Sequence, residues 1–110
     1  MLLSKGANVN AQRQRSSSTL QAASGGGHDK IVKLLLSKGA DVNAQGGHYG
    51  SALQAASRGG YNKIIKLLLS KGADVNAQGR YYGSTLQAAL RGGHNKIVEL
   101  LLSKGANVNA

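Results

Sequence analysis

At 110 residues the chain is one domain's worth, near the size at which burial of apolar surface only just outweighs chain entropy. It contains no Cys, which excludes disulfides and thiolate metal sites, and no apolar run approaches the roughly 20 residues that cross a bilayer. Fourteen Lys and Arg against four Asp and Glu give a formal charge of +10, which favours acidic partners such as nucleic acid, anionic lipid or an acidic protein face; without Pro, Trp or Phe, aliphatic side chains must build the core.

The phrase Ser-Lys-Gly-Ala recurs at Ser4, Ser37, Ser70 and Ser103, always 33 residues on. A period of this length marks a solenoid of stacked units. Taken in chain order, residues 1–11 read as the tail of a unit, with Leu2-Leu3-Ser4-Lys5 as the last turn of a helix and too short for a signal peptide. Three full units follow at 12–44, 45–77 and 78–110, so that 1–110 is a single array. The first opens on Arg13-Gln14-Arg15-Ser16-Ser17-Ser18, a string similar to a basophilic kinase site, although Ser18 is needed as a helix cap. Gly25-Gly26-Gly27 lacks the Lys-Ser/Thr of a phosphate-cradling loop and reads as a turn.

The second unit shows the common plan. Ser51-Ala52-Leu53-Gln54-Ala55-Ala56-Ser57 predicts a short helix, with Ser51 at the N-cap and small side chains that allow a neighbouring helix close approach. Arg58-Gly59-Gly60 is a tight turn. Asn62 to Gly72 predicts an amphipathic helix: Asn62 caps its start, Gly72 takes the left-handed position past its end, and Ile64, Ile65, Leu68 and Leu69 form the apolar stripe opposite Lys63 and Lys66. Ala73 to Gly79 is polar and Gly-punctuated, an extended, turn-like finger. Neither helix can bury its stripe alone, so stacking of like units is the folding strategy.

These residues resemble the ankyrin repeat, a helix-turn-helix followed by a β-hairpin-like loop. The closing phrase Gly-Ala-Asp-Val-Asn-Ala stands at Gly39–Ala44 and Gly72–Ala77, and with Asn for Asp at Gly6–Ala11 and Gly105–Ala110. The family's Gly-His position is Gly27-His28, Gly60-Tyr61 and Gly93-His94. The opening Thr-Pro-Leu-His departs, reading Ser18-Thr19-Leu20-Gln21, Ser51-Ala52-Leu53-Gln54 and Ser84-Thr85-Leu86-Gln87. In the family that His ties neighbouring loops together; a Gln amide, both donor and acceptor, is suited to the same task. The wording is similar to arrays attached to fungal nucleotide-binding signalling proteins. The resemblance implies an all-α repeat solenoid that acts as a non-enzymatic protein-binding scaffold; the absence of Cys fits a reducing, cytoplasmic compartment, and without a spanning run no membrane partner is expected.

In the family, binding uses the concave side, made of finger tips and the exposed face of the first helices. On this chain that implies Gln14, Arg15, Gly47, His48, Arg58, Arg80, Tyr81 and Arg91. Adjacent units differ mainly here, as Gln14/Gly47/Arg80 and Arg15/His48/Tyr81 show, while framework positions repeat faithfully. Arg and Tyr dominate binding hot spots, which favours recognition over simple loop drift, and an acidic protein surface is the expected partner. Tyr49 and Tyr82 are expected to pack between fingers. Lys38 and Lys71, with Lys5 and Lys104, recur once per unit and form a column at roughly 10 Å intervals, the spacing of packed helices. Such a column suits either phosphates, in an alternative electrostatic nucleic-acid function, or a solvated row beside helix C-termini.

No catalytic, cofactor or metal site is expected. His28 and His94 are repeat equivalents two units apart, and the acids are limited to Asp29, Asp41, Asp74 and Glu99. Near-identical units without polar caps fit either an excised natural array or an engineered stack with no natural ligand. Uncapped ends are expected to associate head to tail at high concentration, a growth in size that light scattering would detect.

Overall fold

A computed structural model describes residues 19–46, 50–78 and 83–108. Among the described residues six helices follow one another: α1 (Thr19–Gly25), α2 (Asp29–Ser37), α3 (Ala52–Gly59), α4 (Asn62–Ser70), α5 (Thr85–Arg91) and α6 (Asn95–Ser103). They pair as α1–α2, α3–α4 and α5–α6, and the pairs stack in chain order along a body 42 Å long and 25 by 20 Å across. This is the expected all-α repeat solenoid.

The first helices are made thin by their sequence. Ala23, Ser24, Ala52, Ala55, Ala56, Ser57, Ala88 and Ala89 are all buried, and their small side chains let α1, α3 and α5 pack closely on one another. The second helices supply bulk: Val32, Leu35, Ile64, Ile65, Leu68, Ile97 and Leu101 join Leu20, Leu53 and Leu86 in one continuous core. Thin elements approach further than thick ones, so neighbouring second helices touch far less than neighbouring first helices. Of the expected stripe on α4, Ile64, Ile65 and Leu68 are buried, whereas Leu69 is only half-buried beside this looser seam.

Local signals end the helices largely as expected. Ser51 caps α3 by accepting the Gln54 N–H, and Ser84 caps α5 in a reciprocal box with Gln87. Helix α3 runs through Arg58 and Gly59 before Gly60 turns it at φ +77°. The Tyr61 N–H then closes the end on the Ala56 carbonyl at 3.0 Å. That closure corrects the assignment of Asn62. It is the first helical residue of α4, not its cap; Tyr61 holds the N-cap position without a side-chain bond, because the chain enters the helix directly from the Gly60 turn. Gly72 has φ +90°, and Ala73 N–H reaches the Leu68 carbonyl at 3.0 Å. Equivalent closures at Ala40 and Ala106 end α2 and α6.

Leu68 has no exposed surface and lies among the core side chains of the middle pair. Leu68→Ala is expected to lower the free energy of unfolding by about 2–5 kcal/mol. Chemical denaturation followed by circular dichroism measures it, and a loss below about 1 kcal/mol would show that the site is not packed as described.

Candidate functional site

The fingers between helix pairs are shaped by their own residues before any neighbour acts. Asp41 Oδ1 accepts the Asn43 N–H at 3.0 Å, and Asp74 Oδ1 accepts the Asn76 N–H at 2.9 Å. Each acid thus folds the chain into a tight turn, closed by Ala44 N–H to Asp41 O and Ala77 N–H to Asp74 O, both at 3.2 Å. Beyond the turns the described parts of the finger stems meet in antiparallel bridges, Gly46 with Gly50 and Gln78 with Ser84.

Two polar ladders then fix finger to finger. At the start of the first helices, Gln21 Nε2 donates to the carbonyls of Ala44 (3.0 Å), Gly46 (3.3 Å) and Gly50 in the next stem. Gln54 Nε2 repeats the reach to the Gly83 carbonyl. The expected exchange of Gln for His is therefore realised by the amide donor; among the described residues nothing donates to the buried Gln54 Oε1. Gln87 behaves differently, turning its Oε1 back to Ser84 N–H at 2.8 Å.

The second ladder was not read from the sequence. Asn43 Oδ1 accepts the Asp74 N–H at 2.7 Å while its Nδ2 donates to Gly72 O at 3.0 Å. Asn76 makes the same pair one unit on, with Asn107 N–H at 2.7 Å and Gly105 O at 3.2 Å. An Asn at a fixed place in a repeated phrase was the available signal, but only stacking reveals that its partners lie in the next unit.

At the opposite end of the first helices the units interlock through rings and glycines. Tyr61 covers Gly27, where a Cβ would sit 2.7 Å from its ring and where φ is +77°. His94 covers Gly60 in the same way and brings Nε2 to 3.0 Å from the Arg58 carbonyl. The Gly-His and Gly-Tyr positions are thus joints between units.

Of the anticipated site residues, Gln14, Arg15, Gly47, His48, Arg80 and Tyr81 lie outside the described residues, as do Tyr49, Tyr82, Ser18 and the unit tail at 1–11. Arg58 and Arg91 are exposed in the last turns of α3 and α5. Lys38 and Lys71 are exposed at the C-caps of α2 and α4, on the second-helix row. The arrangement therefore separates the two arginines from the two lysines, one set ending the first helices and the other the second. Every described Lys and Arg is exposed. Among the described residues no three His, Asp or Glu side chains come together as a metal site, and no described helix is long and apolar enough to cross a membrane.

The ladders generate a graded expectation. Gln54→Ala strips a donor from a carbonyl beside the buried end of α3 and should cost about 1–2 kcal/mol; Asn76→Ala, which breaks two exposed bonds, should cost about 1 kcal/mol. Gln87→Ala loses only its half of the capping box and should cost less than Gln54→Ala. Thermal melts of the three variants test the order, and equal losses at Gln54 and Gln87 would contradict the cross-unit role.

Comparison with known families agrees with this geometry. Ankyrin repeats, in 3 copies, match residues 1–79 and 49–110. No individual curated protein matches the sequence. Ankyrin repeats generally serve as protein–protein interaction modules, and proteins built from them are generally non-enzymatic scaffolds. With stacked helix pairs, cross-tied fingers and a match that runs from one end to the other, the chain belongs to the ankyrin-repeat family.

Proposed function

We propose that this array is a non-enzymatic scaffold which binds an acidic protein surface through its finger tips and first helices. Gln14, Arg15, Gly47, His48, Arg80 and Tyr81 supply the variable contacts, with Arg58 and Arg91 behind them. The observation that carries the reading is the double tether of the finger stems by Gln21, Gln54, Asn43 and Asn76. Stems held in register fix the spacing of the finger bases, which leaves a partner less to order on binding. In sequence, Gly47 and His48 fall between the bridged Gly46 and Gly50, and Arg80 and Tyr81 between Gln78 and Ser84. Location inside the cell belongs to the same proposal.

Electrostatic binding of nucleic acid is the second reading, favoured by the exposed lysines that recur at Lys38, Lys71 and Lys104. Salt separates the two, because neutralising several phosphates makes log affinity fall steeply and linearly with log salt. For a protein partner selected by pull-down with the intact array against one carrying Gly at the finger tips, Arg80→Ala with Tyr81→Ala should weaken binding about tenfold or more. Lys71→Ala should change it less than about twofold. Isothermal titration reads both, and the reverse ranking would refute recognition by the tips.

A further inference from the structure

The seam between α4 and α6 opens into a groove of about 410 Å³. Its floor is apolar, formed by Leu69, Val75 and Leu100, all half-buried, and Lys66, Ser70 and Lys104 stand around it. The Ser70 hydroxyl is already committed to the Leu67 carbonyl at 2.6 Å. The polar character of the rim is therefore that of two exposed ammonium groups. The nearby carboxylate of Asp74 accepts the Asn76 N–H, and Glu99 is the single acid of α6.

The groove follows from the repeat itself. Alanines and serines draw the first helices together, leucines hold the second helices apart, and the difference leaves a furrow where α4 faces α6. The same residue types recur one unit earlier at Lys33, Leu36, Val42, Leu67 and Lys71, with the apolar members again half-buried and the lysines exposed. A volume of this size lies within the range of about 300–1,000 Å³ in which ligand pockets bury apolar groups under a few oriented polar ones.

We propose that the α4–α6 groove is a second docking surface, which takes an acidic protein segment that seats apolar side chains on Leu69, Val75 and Leu100 and sets its carboxylates against Lys66 and Lys104. Charge complementarity selects the occupant: two cationic rims over an apolar floor, on a chain of net charge +10, match alternating carboxylate and hydrocarbon. A nucleic acid would leave the leucine floor unused, and a flat lipid surface would not reach into the furrow. None of these residues belongs to the finger tips or the first helices, so the surface is independent of the one proposed above.

The test is fluorescence anisotropy of a labelled synthetic peptide of alternating Glu and Leu, titrated with the intact chain. Lys66→Glu combined with Lys104→Glu should weaken binding about tenfold or more, and so should replacing every Leu of the peptide by Ser. Lys30→Glu with Lys63→Glu, an equal change of charge at exposed lysines outside both surfaces, should leave it within about twofold. All these lysines are exposed, so the variants keep their fold, which circular dichroism checks. Equal binding of the Glu-Ser peptide, or an equal loss in the Lys30 and Lys63 variant, would overturn the proposal. It would equally fall if the Lys66 and Lys104 variant abolished binding to phosphatidylserine vesicles but not to the peptide, or dispersed a dimer of the chain seen by sedimentation. Failure of the finger-tip reading shows separately, in the Arg80 and Tyr81 titrations.

Discussion

Everything in this molecule depends on contact between like units. A single pair such as α3–α4 places Leu53, Ile64, Ile65 and Leu68 against its neighbours as much as against itself, and a fully buried side chain of this size contributes about 1.5–3 kcal/mol only when the neighbour is present. The alanines and serines of the first helices are the enabling feature. They contribute little hydrophobic surface themselves but allow the separation at which larger side chains interlock.

Hydrogen bonds add register to this packing. One amide–carbonyl bond stabilises by about 1 kcal/mol net, so the Gln and Asn ladders matter less for total stability than for where they act. Gln21 and Gln54 hold the stem of the following finger; Asn43 and Asn76 hold the stretch where the following second helix ends and its finger begins. Tyr61 and His94 lock the far end of the stack against Gly27 and Gly60. Each unit is thereby fixed to the next at both ends of its first helix, and rotation of one pair on another is opposed by geometry as well as by burial.

This framework divides the positive charge. Arg58 and Arg91 end the first helices, while Lys66, Lys71 and Lys104 stand on the second-helix row. Because a short turn joins the two helices of a pair, Arg58 stands at the turn end of α3–α4 and Lys71 at the opposite end.

Much of the architecture could be read from local chemistry. The 33-residue period, the small-residue first helix, the stripe of Ile64, Ile65 and Leu68, the Ser51 cap and the Gly72 terminus are near-neighbour properties, and each appears where its spacing implied. The reach of Gln54 to the next stem also followed from the donor it shares with the family's His. Tertiary structure alone decided the rest. Asn62 lost its capping role to a backbone closure through Gly60, Asn43 and Asn76 found partners 29 and 31 residues away, and Leu69 was left half-buried on a groove. Periodicity states which side of a helix is apolar, but how closely the next helix approaches is a property of both surfaces together, and that distance determines which side chains are tied, covered or left open.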